Sequence, residues 1–148
     1  MNITIHPSAI KGTVQAPASK SYGQRALAAA LLVHGTCTIH NPSRCHDALA
    51  AMQVIQNLGA QIEDHGDHLL IQGGLAPKSL SLNFGEAGLG IRLFSSIAAL
   101  HSEEIILTGK GSLLKRPMSL ISEALNRLGA SCKTDNGFLP IQVHGPIT

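Results

Sequence analysis

The chain has no tryptophan, one tyrosine and three phenylalanines in 148 residues. That scarcity of rings excludes the aromatic platforms on which single-stranded nucleic acids stack. Charge is sparse as well. Asp, Glu, Lys and Arg make up 14% of the chain and the net charge is only +2. No dense Lys/Arg stripe is present, so nucleic acid is not an expected partner. No apolar run reaches the roughly 18 residues that span a membrane. The first residues carry no basic n-region or apolar h-region, so a cytoplasmic location is the expectation. The cysteines, Cys37, Cys45 and Cys132, are odd in number and far apart, which argues against a disulfide framework. The eight histidines form no HxxxH pair and the cysteines no CxxC pair, so no metal is expected. Cys45-His46-Asp47 has the letters of a catalytic triad, but adjacency along a chain is not triad geometry.

What remains is aliphatic. Apolar residues make up 44%, enough for an alanine-rich core in one domain or part of a larger one. The sequence also repeats itself. Leu58-Gly59-Ala60 and Leu128-Gly129-Ala130 each end a helix, with Gly at the position that favours the left-handed conformation. A hairpin follows each: 61–64 with 68–72, and 131–135 with 138–144. Asn136-Gly137 between apolar runs is a strong hairpin signal. Reading back from each hairpin predicts the same order. The first copy has a strand at 12–16, a helix at 20–34, a strand at 36–40 and a helix at 46–58. The second has a strand at 79–83, a helix at 87–101, a strand at 104–107 and a helix at 116–128. The expected fold class is therefore α/β, a β-α-β-α-β-β unit occurring twice, over residues 12–73 and 79–145. Gly73-Gly74 and Ala76-Pro77 mark the link. Residues 26–33 are apolar nearly all round, which predicts a helix buried on most sides. Met118, Ile121, Leu125 and Leu128 form a single stripe, as do Met52, Ile55 and Leu58. Each unit thus has one inner and one outer helix.

Polar residues gather where helices begin. Ser19-Lys20-Ser21 opens the first, with Arg25 on the same face as Ser21. Asp47 opens the second. Glu86-Ala87-Gly88 opens the third, which carries Arg92. Lys115-Arg116-Pro117 opens the fourth, with proline where a missing N–H costs nothing. A helix start has unpaired N–H groups and partial positive charge. With lysine and arginine added, it is a receptor for phosphate or carboxylate. If the two units pack side by side, four such starts converge on one pocket.

These residues resemble the enolpyruvyl transferase family. The carrying motifs are Ser19-Lys20-Ser21-x-x-x-Arg25, Ala87-Gly88 with Arg92, Lys115-Arg116-Pro117-Met118 followed by Leu128-Gly129-Ala130, and Leu139-Pro140-Ile141 to His144-Gly145. They run through essentially the whole chain in family order. The resemblance implies an inside-out α/β barrel, two domains of three β-α-β-α-β-β units each. It implies transfer of the enolpyruvyl group of phosphoenolpyruvate to the 5-hydroxyl of shikimate 3-phosphate, part of aromatic amino acid biosynthesis, with no metal and no organic cofactor. By the same resemblance Lys20 contacts both substrates, Ser21 and Arg25 bind the shikimate phosphate, Gly88 lets phosphoenolpyruvate approach the backbone, and Arg116 holds phosphoenolpyruvate. Asp47 and Arg92 align with family residues without an assigned duty. The branch acting on UDP-N-acetylglucosamine fits less well: it has Lys-Asn for Lys20-Ser21 and a cysteine in the loop before Arg-Pro, where this chain reads Gly111-Ser112-Leu113-Leu114-Lys115. The RNA 3′-phosphate cyclases share the repeated unit, but this chain is poor in aromatics and has no catalytic histidine motif.

Two departures stand out. Glu86-Ala87-Gly88-Leu89 replaces the commoner Asn-Ala-Gly-Thr, which puts a carboxylate beside an expected anion and removes a hydroxyl. Family enzymes are also much longer. The resemblance therefore implies an N-terminal segment without the third unit, the second domain or the family's acid–base aspartate and lysine. Such a segment holds no catalytic residue and is expected to be inactive alone. It is also expected to self-associate through exposed apolar faces and an unpaired sheet edge.

Overall fold

The computed structural model describes residues 2–147. Of its four α-helices among these residues, one is capped at its start by a side chain. In α1 (Lys20–Leu32) the Ser19 hydroxyl accepts from the Tyr22 N–H at 3.3 Å, an ordinary N-cap. The other helices are α2 (His46–Asn57), α3 (Gly88–Ala98) and α4 (Ser119–Arg127). Glycine ends α2 and α4 as expected. Gly59 and Gly129 adopt φ of 119° and 89°. The Ala60 N–H reaches the Ile55 carbonyl and the Ala130 N–H the Leu125 carbonyl, the longer bond of a Schellman motif.

Among the described residues, seven strands form two sheets. β1 (Thr36–His40), β2 (Gln61–Asp64) and β3 (His68–Gln72) lie in the order β1-β3-β2, all antiparallel. β4 (Ser81–Asn83), β5 (Glu104–Thr108), β6 (Ser131–Asp135) and β7 (Phe138–His144) lie in the order β4-β5-β7-β6. Only β4 and β5 run parallel, joined across α3. Asn136 and Gly137, at φ of 50° and 85°, make the turn of the β6–β7 hairpin, with the positive φ at both positions that a type I′ turn needs. In β7 the alternation is complete: Leu139, Ile141 and Val143 are buried while Phe138, Pro140, Gln142 and His144 face out.

The second unit has every expected element; the first lacks its strand. Residues 12–16 form no ladder, and Val14 is 90% exposed. The interval that takes Lys20 to Gly88 also takes Thr36 to Glu104 and Val14 to Leu82, which is fully buried in β4. The alternation in Gly12–Ala16 is that of a strand, but among the described residues nothing pairs with it. The outer edge of β1 is left without a neighbour. Two helix expectations also change. α1 buries one face, through Leu27, Ala28, Ala30 and Leu31, while Tyr22, Leu32 and Val33 are exposed because no described element covers them. The fourth helix does not open at Arg116. Gly111–Lys115 forms a 3₁₀ turn, Arg116 is extended, and α4 starts at Ser119. Proline disfavours helical backbone in the residue before it, and Arg116 at φ −91°, ψ 132° obeys that rule.

The helices lie in the order α2-α1-α3-α4, with α1 and α3 packed together at the centre. A single aliphatic core joins both units, from Leu31 and Ile55 through Ile91 and Phe94 to Ile105 and Ile141. The outer stripe of α4 frays: Met118, Ile121 and Leu125 are buried, but Leu128 is 53% exposed.

One exposed clamp ties the β2–β3 hairpin to the start of α2. The Arg44 guanidinium bonds both oxygens of Asp64, one at 2.7 Å, and donates to the Gly66 carbonyl at 2.7 Å. The Arg44 bond and the Gly66 N–H hold the Asp64 carboxyl down to about 2. The folded chain favours the carboxylate, so this contribution is complete above the ordinary aspartate value near 4 and is lost as pH falls toward 2. An NMR titration of Asp64 is expected to show a midpoint near 2. A midpoint at the ordinary value would mean that the clamp does not form in solution.

Candidate anion-binding site

A cavity of about 410 Å³ lies where the two units meet. Its walls are Lys20 and Ser21 from the first turn of α1, Asp47 from α2, Gly88 and Leu89 from α3, Glu86 just before α3, and Ser112 and Arg116 from the 3₁₀ turn and its exit. It continues into a wider cleft along α2, lined by His46, Gln53, Asn83 and Lys110, with Asp47 and Glu86 common to both. The convergence is of three helix starts and a 3₁₀ turn. The start of α4 is not part of it, because the Arg116–Met118 link separates Ser119 from the turn.

The charged side chains of the wall are held by local interactions. Lys20 Nζ lies 2.9 Å from Asp47 Oδ2, bridging α1 and α2. That bond and the carboxylate charge raise the Lys20 pKa. Glu86 accepts the Ser112 N–H at 2.9 Å, tying the loop before α3 to the 3₁₀ turn. Bonds from Ser112 hold the Glu86 carboxyl below its ordinary range, with smaller help from Lys110 and Arg116. Arg116 Nη2 donates to the Ser112 hydroxyl at 3.3 Å. Its other terminal nitrogen sits over Gly88 so closely that a Cβ there would collide with it. Glycine at 88 is therefore what lets a guanidinium rest on the first turn of α3, beside the open N–H groups of that turn.

The structure brings five of the seven sequence-nominated residues to one cavity: Lys20, Ser21, Asp47, Gly88 and Arg116. Arg25 and Arg92 stand elsewhere. The Arg25 guanidinium folds back on the Ser21 carbonyl at 3.2 Å. Arg92 bonds the Gly88 carbonyl at 2.8 Å and the Pro117 carbonyl at 3.4 Å, stapling α3 to the link that carries Arg116. The sequence does not single out Ser112. It lies in a 3₁₀ turn with no periodic pattern, and its only signal was its place in the run before Arg116-Pro117.

Two repeated α/β units, with cations and open helix starts facing one cavity, define the class: an α/β protein with a candidate anion site. Comparison with known proteins narrows the class. The sequence profile of EPSP synthase (3-phosphoshikimate 1-carboxyvinyltransferase) matches residues 5–148, and the chain belongs to that family. It is 38% identical to the 3-phosphoshikimate 1-carboxyvinyltransferase of Chlamydia caviae over 97% of its own length and 33% of the relative's. It is 39% identical to that of Methanobrevibacter smithii over 93% of its length and 32% of the relative's. The structure superposes on EPSP synthase from Acinetobacter baumannii with a TM-score of 0.83 at 32% identity, covering 93% of this chain and 33% of that one. The chain thus spans about a third of the length of these relatives.

Proposed function

We propose that this chain supplies the helix-start half of a substrate site for enolpyruvyl transfer from phosphoenolpyruvate to the 5-hydroxyl of shikimate 3-phosphate. The observation that carries this reading is the meeting of Lys20, Arg116 and the bare first turn of α3 in one cavity. Both substrates are polyanions. Phosphoenolpyruvate belongs between Arg116 and the backbone at Gly88. The shikimate phosphate belongs at the start of α1, with Ser21 and, after it swings off the Ser21 carbonyl, Arg25. Lys20 lies between the two and reaches either.

The same geometry supports inactivity of the chain by itself. Transfer needs protons moved at the enol carbon and at the attacking hydroxyl by positioned groups. The two carboxylates of the cavity are already engaged, Asp47 with Lys20 and Glu86 with Ser112. Neither is placed as a free base.

Calorimetric titration with shikimate 3-phosphate tests the reading. Saturable binding by the folded chain is expected, weakened about tenfold in Lys20→Ala, in line with loss of one charge-assisted hydrogen bond. The effect is limited because Asp47 already offsets part of the Lys20 charge. No heat from a chain shown to be folded by circular dichroism would mean that these residues form no site by themselves.

A further inference from the structure

Gln24 is the one side chain among the described residues whose buried polar atoms lack a partner. It is fully buried, and neither its Oε1 nor its Nε2 makes a hydrogen bond within the protein. A buried amide left in that state is a net cost, so native proteins seldom keep one without a partner. Its position is specific. Gln24 lies one turn below Lys20 and Ser21 on α1, and its amide oxygen faces α3. A Cβ built on Gly90 would stand 3.4 Å from Oε1. Gly90 belongs to the first turn of α3, whose N–H groups have no carbonyl one turn back. Ala87, the residue before that turn, offers no side-chain cap. An unpartnered amide on α1 therefore lies against the first turn of α3, two residues along from Gly88 in the cavity wall.

We propose that Gln24 is a positioning residue: through one trapped water its amide bonds the open first turn of α3 and fixes the spacing of the two helix starts. The site has the polar partners that a buried water requires, with Oε1 and Nε2 on one side and backbone N–H on the other. Glycine at 90 keeps a side chain out of this contact. A side chain there would press on Oε1, on the Ala87 Cβ at 3.3 Å and on the Phe84 ring at 3.4 Å. The bridge sets where the Gly88 N–H points, and so how well the cavity holds a phosphate. That last consequence rests on the substrate reading above; the bridge itself does not.

The experiment uses the 148-residue chain and the variant Gln24→Met, which keeps the side chain's length and removes its amide. Hydrogen exchange without ligand is followed by NMR at the Leu89 and Gly90 amides, and inorganic phosphate is titrated separately. The expected result is exchange about tenfold faster at those two amides, the size of one lost hydrogen bond, with the β6–β7 hairpin amides unchanged. Phosphate affinity is expected to fall by a similar factor. Unchanged exchange at Leu89 and Gly90, or a variant that melts at a higher temperature, overturns the bridge whatever phosphate does. Faster exchange in a chain whose wild type takes no phosphate upholds the bridge and defeats the substrate reading. Should Gln24→Met fail to fold, Gly90→Ala closes the same gap. It is expected to speed exchange at Leu89, and unaltered exchange there overturns the proposal.

Discussion

Gly88→Ala is expected to fold normally and to lose about a hundredfold in affinity for phosphoenolpyruvate or inorganic phosphate, a loss of nearly 3 kcal/mol. The two halves of this result have separate causes. The new methyl group would collide with Nη1 of Arg116, stand 3.5 Å from its Cζ and come within 3.4 Å of Nη1 of Arg92. All of these are ends of flexible side chains, so they yield at little cost to the fold. Alanine also suits a helix better than glycine, by up to about 1 kcal/mol. Stability is thus held or raised. The site fares differently, because the guanidinium that gives way is the group that faces the anion, and the methyl occupies the space above the open N–H groups. Thermal melting followed by circular dichroism checks the first half and calorimetry the second. Unchanged affinity would place the anion somewhere other than the first turn of α3.

The largest effect on stability is expected from Phe94→Ala, about 3–5 kcal/mol. Phe94 is fully buried on α3, its ring centre 6.1 Å from that of Phe84, the planes inclined at 33°. Phe84 is fully buried and held in the same core, and the other neighbours are aliphatic, so the gap left by the ring stays largely open. Against a total stability of about 5–15 kcal/mol for an ordinary domain, such a loss leaves a large unfolded population. Equilibrium urea denaturation measures it. A loss below about 1 kcal/mol would show that α3 does not pack on the second sheet as described. Phe84 sits at the exit of β4, so loosening this pair also slackens the loop that presents Gly85 to Gly88.

The elements that were legible in the sequence share a property: their signal is local. Both hairpins lie at the residues their turns demanded, because Asn136-Gly137 admits the backbone of a type I′ turn and Leu139, Ile141 and Val143 alternate without a break. Local signals misled where a partner decides the outcome. Thr13-Val14-Gln15 alternates as a strand should, yet a strand needs a neighbour to pair with, and here it has none. At Pro117 two local rules competed. Proline at a helix start suggested that Arg116 begins α4. The restriction that proline places on the residue before it kept Arg116 extended, and that extension is what delivers the guanidinium to Gly88. Among the cavity residues, Lys20, Ser21 and Gly88 stand where helix-start chemistry placed them. Arg25 and Arg92 were nominated by type and spacing alone, and spacing does not reveal that a carbonyl one turn back takes the guanidinium first.

The pairing of Lys20 with Asp47 and the nearness of Glu86 to Arg116 have a consequence for how a ligand arrives. Two cations and two carboxylates line the cavity, so their formal charges cancel. An approaching polyanion feels little pull from these side chains at a distance of several Debye lengths. Its capture is settled at close range, when its oxygens displace a carboxylate from Lys20 and meet the N–H groups of α3. The cavity thus selects by fit at contact and does little to gather anions from afar. On the substrate reading proposed above, such a cavity tells phosphorylated ligands apart by contact geometry and not by net charge.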